Sequence, residues 1–363
     1  MFQITHQDGS ARIGQLTTAH GTIETPFFMP AATKATGKVI TTDDYKHIRI
    51  KAIIANALIL SLKPGIEIIK KAAGIHQFMN FSGIIFTDCG GFQMSRGIFE
   101  EKYKKGLHFR SPYDNSKVII TPKKIMEIEL AINSDAAMML DDMSGYGVSY
   151  EEAKLAMENT HRWGKESLEW HQKLKREQNS SQLLFGIAQG NFYPELREQS
   201  AKFINSLAFD GVAIGGVAIG EPKEKMYQAI DAVLPYIAKE KPRYVMGIGS
   251  PKEMLELIGR GIDCFDSVYP TQVGRRGTLF TRQGNVLIEQ LKYQDDFSPI
   301  EQGCNCYTCN NYTRAYLHHL IKVKEPIVKR FLSIHNLFFI QRMLEEAKEA
   351  IKKGKFKEFK DQF

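Results

Sequence analysis

No stretch of this 363-residue sequence stays apolar for the ~18 residues that a membrane-spanning helix requires, so a transmembrane protein is not expected. The opening residues, MFQITHQDGSARIG, lack the basic-then-apolar layout of a secretory leader, and a soluble, cytoplasmic protein is expected. Long polar or repetitive tracts are also missing and the aromatic residues are dispersed, which excludes a largely disordered chain. Neither G-x-G-x-x-G nor G-x-x-x-x-G-K-[ST] comes after any apolar run, which weighs against a nucleotide-binding doubly wound sheet. Cysteine is scarce. Of five, Cys89 and Cys264 stand alone and Cys304, Cys306 and Cys309 are bunched, a pattern that in a cytosolic protein points to a metal rather than to disulfides. Neither sign of charge dominates: 48 Lys+Arg face 41 Asp+Glu, for a net +7. That is a mild lean towards a polyanionic partner, and part of it lies in the tail AIKKGKFKEFK.

What is present is one grammar, repeated. Short apolar runs end in polar or glycine-rich loops and are succeeded by amphipathic helices. The runs are KAIIANAL, GIIFTDCGG, AAMMLDDM, LLFGIAQG, GVAIGG, RYVMGIG and CFDSVYP. Nearly continuous apolar runs are the mark of buried parallel strands. The helices are well signalled: Ser149 and Glu152 form a capping-box pattern, Thr121–Pro122 opens another helix, and Ser250, Pro251 and Glu253 combine a cap, a first-turn proline and a box glutamate. About seven or eight such units predict an α/β fold of the (β/α)8 TIM-barrel type. The stretch ARIGQLTTAHGTIETPFFMP, broken by Gly21 and Pro26, predicts a small antiparallel sheet capping one end of the barrel. From about Asn336 a basic helix is expected. With no clear linker, residues 1–363 are expected to form a single catalytic barrel domain with an integral zinc-binding subdomain at about residues 300–340.

In such barrels the active site lies at the C-terminal ends of the strands. The residues at the ends of the runs are Asn56, Asp88, Asp141 with Asp142, Gln189, Gly215 with Gly216, Met246 with Gly247, and Asp266. A single Asp in such a place more often caps the next helix. Three from separate strands make a set suited to acid/base work and to covalent attack at a sugar carbon. Gln189 offers both a donor and an acceptor, the two glycines admit a ligand close to the backbone, and Phe92 and Met246 could sandwich a flat ring. Cys304-x-Cys306-x2-Cys309 with His335 gives three thiolates and an imidazole, a closed tetrahedral set for structural zinc. His318 and His319 are nearer in sequence and compete for the fourth place, but they sit in RAYLHHLIKV, which reads as a helix leading away.

At this point the residues resemble those of the tRNA-guanine transglycosylases, or queuine tRNA-ribosyltransferases, of bacterial type. The matches are TDCGGFQ, LDDM, FGIAQGN, FDGVAIGGVAIGEPKEKMY, KPRYVMGIGSP, GIDCFDSVYPT and the Cys/His set, in order and over essentially the whole chain. The resemblance implies a barrel with a zinc-binding subdomain. It implies exchange of guanine at the wobble position of tRNAs with a G-U-N anticodon (those for Asp, Asn, His and Tyr) for a 7-deazaguanine base. By position Asp266 matches the nucleophile at ribose C1′ and Asp88 the general acid/base. Phe92 and Met246 would stack on the base, Asp141 and Gln189 would bond its edge, Gly215, Gly216 and Val217 would offer backbone groups, and Asn56 would steady Asp266. Arg275 matches a tRNA contact, one zinc ion per subunit is implied, and a homodimer through Tyr312, Tyr316 and His319 on one helix is expected.

Several positions depart from the pattern. Cys89 replaces a serine, Leu58 and Ile59 replace a Tyr-His pair, Gln272 replaces an arginine, and Met143 is neither of the usual residues. Ile219 stands where eukaryotic enzymes have a glycine that makes room for queuine's ring, so the smaller 7-aminomethyl-7-deazaguanine (preQ1 base) is expected. A non-catalytic partner subunit is the rival reading, although such a chain should have lost one of the two acids. A sugar-cleaving barrel hydrolase would favour glutamates and aromatic platforms at the strand ends.

Overall fold

The computed structural model describes residues 2–90, 99–103 and 106–363, the side chains of 99–103 excepted. The chain opens with three antiparallel strands, β1 (Phe2–Asp8), β2 (Ala11–Thr18) and β3 (Gly21–Glu24). It then enters a parallel sheet with β4 (Phe27–Pro30), β5 (Ala52–Asn56) and β6 (Ile84–Asp88). A separate antiparallel sheet comes next, made of β7 (Phe99–Tyr103), β8 (Gly106–Arg110) and β9 (Lys117–Ile120). The parallel sheet resumes with β10 (Ala136–Met138), β11 (Leu183–Ala188), β12 (Gly211–Ile214), β13 (Arg243–Val245) and β14 (Cys264–Ser267). The eight strands run β4-β14-β13-β12-β11-β10-β6-β5, and a parallel bridge from Ala31 to Ile54 joins the two ends into a ring. The predicted (β/α)8 barrel is therefore the observed fold.

One strand departs from expectation. PFFMP is not part of the antiparallel cap; Phe27–Pro30 pairs in parallel with Cys264–Ser267 and is the first barrel strand. Its four residues, all buried, are too few to show a period. The β7–β9 sheet has no counterpart among the predicted elements.

The barrel interior explains where the site can be. Phe27, Phe86, Phe185 and Tyr244 come from β4, β6, β11 and β13, alternate strands of the ring. Phe86 meets the other three rings at centroid distances of 6.2, 5.3 and 6.3 Å, edge-on in each case. Four side chains from alternate strands make one packed layer of such a barrel. This aromatic floor closes the interior, and side chains two residues further along the same strands point the same way, above it.

Ser149 and Glu152 do form a capping box, which opens the helix Tyr150–Glu177. Thr121 caps Pro122–Ile132 through the Lys124 amide. Ser250 caps Pro251–Ile258 without a side-chain bond, and Glu253 pairs instead with Lys223 at 2.9 Å. The C-terminal helix runs Val328–Lys352 and starts eight residues before the expected Asn336. It packs on the barrel through Leu337, Ile340 and Leu344, and through Leu332 on a second, smaller apolar cluster with Leu279, Ile288 and Leu317.

Candidate active site

Asp88 ends β6 two residues beyond Phe86, so it stands above the aromatic floor. Asp266, the next-to-last residue of β14, is brought beside the floor's Tyr244 hydroxyl. Both line a cavity of about 300 Å³ at the C-terminal mouth, together with Asp141, Gln189, Gly215, Gly216, Val217 and Met246. Cys89, Met143, Ile219 and Gln272 line it too. Phe92 lies outside the described residues.

The carboxylates are held differently. Asn56 sits beside Asp88 in register and is fully buried. Its Oδ1 accepts from the Ile59 amide at 2.8 Å, and its Nδ2 donates to Asp88 Oδ1 at 2.7 Å. Asn56 therefore fixes Asp88, not Asp266, and does not itself line the cavity. Gly90, at φ +86°, allows this packing: a Cβ there would fall 2.8 Å from Leu58 Cβ and 3.1 Å from Asn56 Oδ1. Asp266 is held instead by Tyr244, whose hydroxyl donates to Oδ1 at 2.5 Å, and by the Gly247 amide at 2.9 Å. Burial pushes the Asp266 carboxyl up, and these two donors pull it back. Sequence reading missed Tyr244 because it looks like one more apolar residue of RYVMGIG. The signal is its alternation with Met246, which lines the mouth.

Asp141 accepts from Gln189 Nε2 at 2.6 Å and from the Cys89 thiol at 3.5 Å. Burial raises it to about 6 against the pull of these donors. The Gln189 amide lies against both glycines: a Cβ would meet its Nε2 at 2.6 Å from Gly215 and its Oε1 at 2.4 Å from Gly216. Behind them is Arg197, fully buried in the helix Pro194–Ser206 and also missed. Its Nη1 donates to Gly215 O at 2.7 Å and to Ala188 O at 3.3 Å, Nη2 to Gly216 O at 3.0 Å, and Nε to Asn191 O at 2.5 Å. Glu221 accepts from the amides of Ala218 and Ile219 at 2.6 and 2.8 Å and shapes the next turn.

Arg275 comes directly after the helix Tyr269–Gly274 and is not part of the cavity wall; its Nη1 is buried without an acceptor among the described residues. Tyr312 precedes the helix Arg314–Lys322 rather than lying on it; it stacks on Tyr316 at 5.3 Å and on Phe331 at 4.4 Å. Tyr316 and His319 are exposed.

Cys304, Cys306, Cys309 and His335 converge so that a metal ion could be held by all four. The three Sγ atoms lie 3.9, 3.5 and 3.4 Å from His335 Nδ1. His335 Nε2 donates to Phe280 O at 2.8 Å, which leaves the Nδ1 lone pair facing the sulfurs. His318 is engaged elsewhere, donating from Nδ1 to Ile288 O at 2.8 Å.

A closed parallel barrel with carboxylates gathered over an aromatic floor defines a TIM-barrel enzyme. Residues 7–363 match the family model described as Queuine tRNA-ribosyltransferase. Several bacterial relatives bear that name. The protein of Pelotomaculum thermopropionicum is 45% identical over all of this chain and 97% of its own. That of Desulforamulus reducens is 44% identical over 97% and 94%, and that of Staphylococcus aureus 42% identical over 99% and 94%. The chain belongs to the queuine tRNA-ribosyltransferase family and is a glycosyltransferase of the pentosyl-transferring kind.

Proposed function

We propose that the protein exchanges guanine at the wobble position of G-U-N tRNAs for 7-aminomethyl-7-deazaguanine through a covalent enzyme–RNA intermediate. The observation that carries this reading is the pair Asp88 and Asp266 on one cavity, with Asn56 Nδ2 donating to the first and the Tyr244 hydroxyl to the second. Asp266 attacks ribose C1′ as the bond to the base nitrogen breaks, and Asp88 gives that nitrogen a proton. The incoming base then returns a proton to Asp88, attacks C1′ and releases Asp266. Asp141 and Gln189 accept and donate at the ring edge, Gly215, Gly216 and Val217 offer backbone groups beside it, and Met246 packs on the ring face. Ile219 lines the cavity and supports the smaller base over queuine. Incubation of a G-U-N tRNA with each base separately, and then mass spectrometry of the wobble nucleoside, decides this. Uptake of the aminomethyl base alone is expected; preferred uptake of queuine would keep the enzyme class and overturn the choice of base.

Zinc is the metal that fits the four ligands. A tetrahedral shell of three sulfurs and one nitrogen puts its sulfur and nitrogen atoms about 3.5 Å apart, the spacing seen, and a closed shell supplies folding rather than chemistry. The small apolar cluster beside it supports an integral subdomain of one domain. One zinc per chain by elemental analysis is expected, and Cys306→Ser should lose it and melt at a lower temperature. Tyr316 and His319, exposed beside the half-buried Tyr312, support a homodimer, and Arg275, half-buried directly after the helix Tyr269–Gly274, is assigned a contact to the RNA by its match to the family pattern. No helix among the described residues is long and apolar enough to cross a membrane.

A further inference from the structure

Successive carbonyls of an extended chain point to opposite sides. At the end of β12 they do not: Gly215 O and Gly216 O both bond to the guanidinium of Arg197. Gly216, at φ +63°, makes this reversal, a backbone conformation that residues with side chains rarely adopt, and a Cβ there would press on the Gln189 amide. The two peptides after these carbonyls are trans, since the cis bonds of the described chain are Thr25–Pro26 and Lys63–Pro64. In a trans peptide the N–H points opposite to the C=O. The amides of Gly216 and Val217 are therefore both turned away from Arg197, on the side where Gly216 and Val217 line the cavity. Neither amide has an acceptor among the described residues. Two adjacent amides turned the same way form a concave donor pair that takes one oxygen.

We propose that Arg197 is a positioning residue for base recognition: by holding two successive carbonyls it fixes the Gly216 and Val217 amides as a paired donor for the carbonyl oxygen of a lactam base. The fork shape of the guanidinium matters, because two of its nitrogens reach the two carbonyls and a third holds Asn191 O. A lysine would keep the charge, but its donors radiate from one point and cannot span this set. A base with an amino group in place of the carbonyl would set donor against donor, so the device also selects among purines.

The inference rests on the base-exchange reading, which wild-type incorporation of labelled guanine into tRNA tests first and separately. Arg197→Lys and Arg197→Met are then compared with wild type and with Arg12→Lys, which alters a buried cation at the other end of the barrel. The readouts are KM for guanine, KM for tRNA, kcat and melting temperature. The expected result is a rise in KM for guanine of about tenfold or more, larger in Met than in Lys, with KM for tRNA and kcat at saturating base within about threefold of wild type. Arg12→Lys should lower the melting temperature and leave both KM values alone. If Arg197→Met does not fold, Arg197→Lys decides. Wild-type KM for guanine in a folded Arg197 variant would overturn the proposal. So would a parallel loss of base binding, tRNA binding and kcat, which is what a merely structural role predicts.

Discussion

Two barrel strands carry an aspartate at each end, and the ends treat it oppositely. β14 is preceded by Asp263 and carries Asp266; β10 is preceded by Asp135 and followed by Asp141. At the closed end Asp263 is fully buried against Arg12, whose Nε donates to it at 3.0 Å and whose Nη2 also pairs with it, and the Arg243 amide adds a third donor at 2.7 Å. Asp135 takes His20 Nδ1 at 2.9 Å, His76 Nε2 at 3.0 Å and the Ile85 amide at 2.9 Å, and these bonds hold it low, at about 2, against its burial. At the mouth neither Asp141 nor Asp266 has a basic partner among the described residues; their donors are an amide, a thiol, a phenol and a backbone N–H. A carboxylate locked to an arginine, as Asp263 is, or filled by ring and backbone N–H donors, as Asp135 is, is finished. One held only by neutral donors keeps its charge available for a reacting group. The same residue type, a few positions apart, is tied into the fold at one end and left with neutral donors facing a cavity at the other.

The largest effect that could break this contrast is at Asp266. Asp266→Asn should lower exchange by about 10⁴-fold or more and abolish the covalent RNA adduct on denaturing gels, with the melting temperature held or raised. An adduct that survives would remove Asp266 from the nucleophile's role. At the closed end the loss should be of the other kind. Asp263→Ala leaves Arg12 buried without its carboxylate and should cost about 3–5 kcal/mol of stability in denaturant unfolding. The folded fraction should exchange base at the wild-type kcat.

The mouth was more legible in the sequence than the closed end, and for a physical reason. Asp88, Gln189 and Asp266 directly follow or end buried apolar runs, so a linear reading places them at strand ends. Arg12 and Asp263 are 251 positions apart, and only the closed ring brings them together. PFFMP was given to the antiparallel cap because four buried residues carry no period, and its place in the barrel comes from pairing with β14, the last strand of the ring in sequence. Tyr244 was hidden for the opposite reason. It belongs to the aromatic floor by its ring and to the site by its hydroxyl, and sequence alone shows only the ring. Asn56 was placed correctly at a strand end but given the wrong neighbour: it bonds to the strand beside it, and adjacency of β5 and β6 is a fact of topology. The Cys304, Cys306, Cys309 and His335 cluster was legible because thiolates have few other uses in such spacing, and His335 was separated from His318 by what each ring's other contacts permit.

Tyr244→Phe sharpens the comparison at a smaller scale. It keeps the floor packed and removes one donor from Asp266. A hydrogen bond to a charged group is worth about 1.5–3 kcal/mol, so kcat should fall by roughly ten- to a hundredfold. Because the Tyr244 bond lowers the Asp266 carboxyl, its loss raises it, and the acidic limb of kcat/KM should move to higher pH. An unshifted limb with reduced kcat would mean that Tyr244 acts by packing alone.

Asp141 gives the smallest effect and the most discriminating sign. It is raised to about 6, chiefly by burial. If its ionised form accepts an N–H of the base, KM for the base should fall severalfold as pH rises through about 6, and Asp141→Asn should flatten that dependence. Stability should run the other way. A carboxyl raised above its unfolded value of 3.8 keeps the folded state's extra proton up to about 6, so its contribution is complete below 3.8 and is lost as pH rises through 6. Asp141→Asn should therefore raise the melting temperature at pH 8 and leave it nearly unchanged at pH 4. Loss of the carboxylate at Asp263 destabilises at neutral pH because a cation is abandoned. Loss of the one at Asp141 should stabilise there, because the charge was never compensated. Melts of the two variants across pH would separate a carboxylate kept for the fold from one kept for the ligand; equal destabilisation at pH 8 would erase the distinction between the two ends of the barrel.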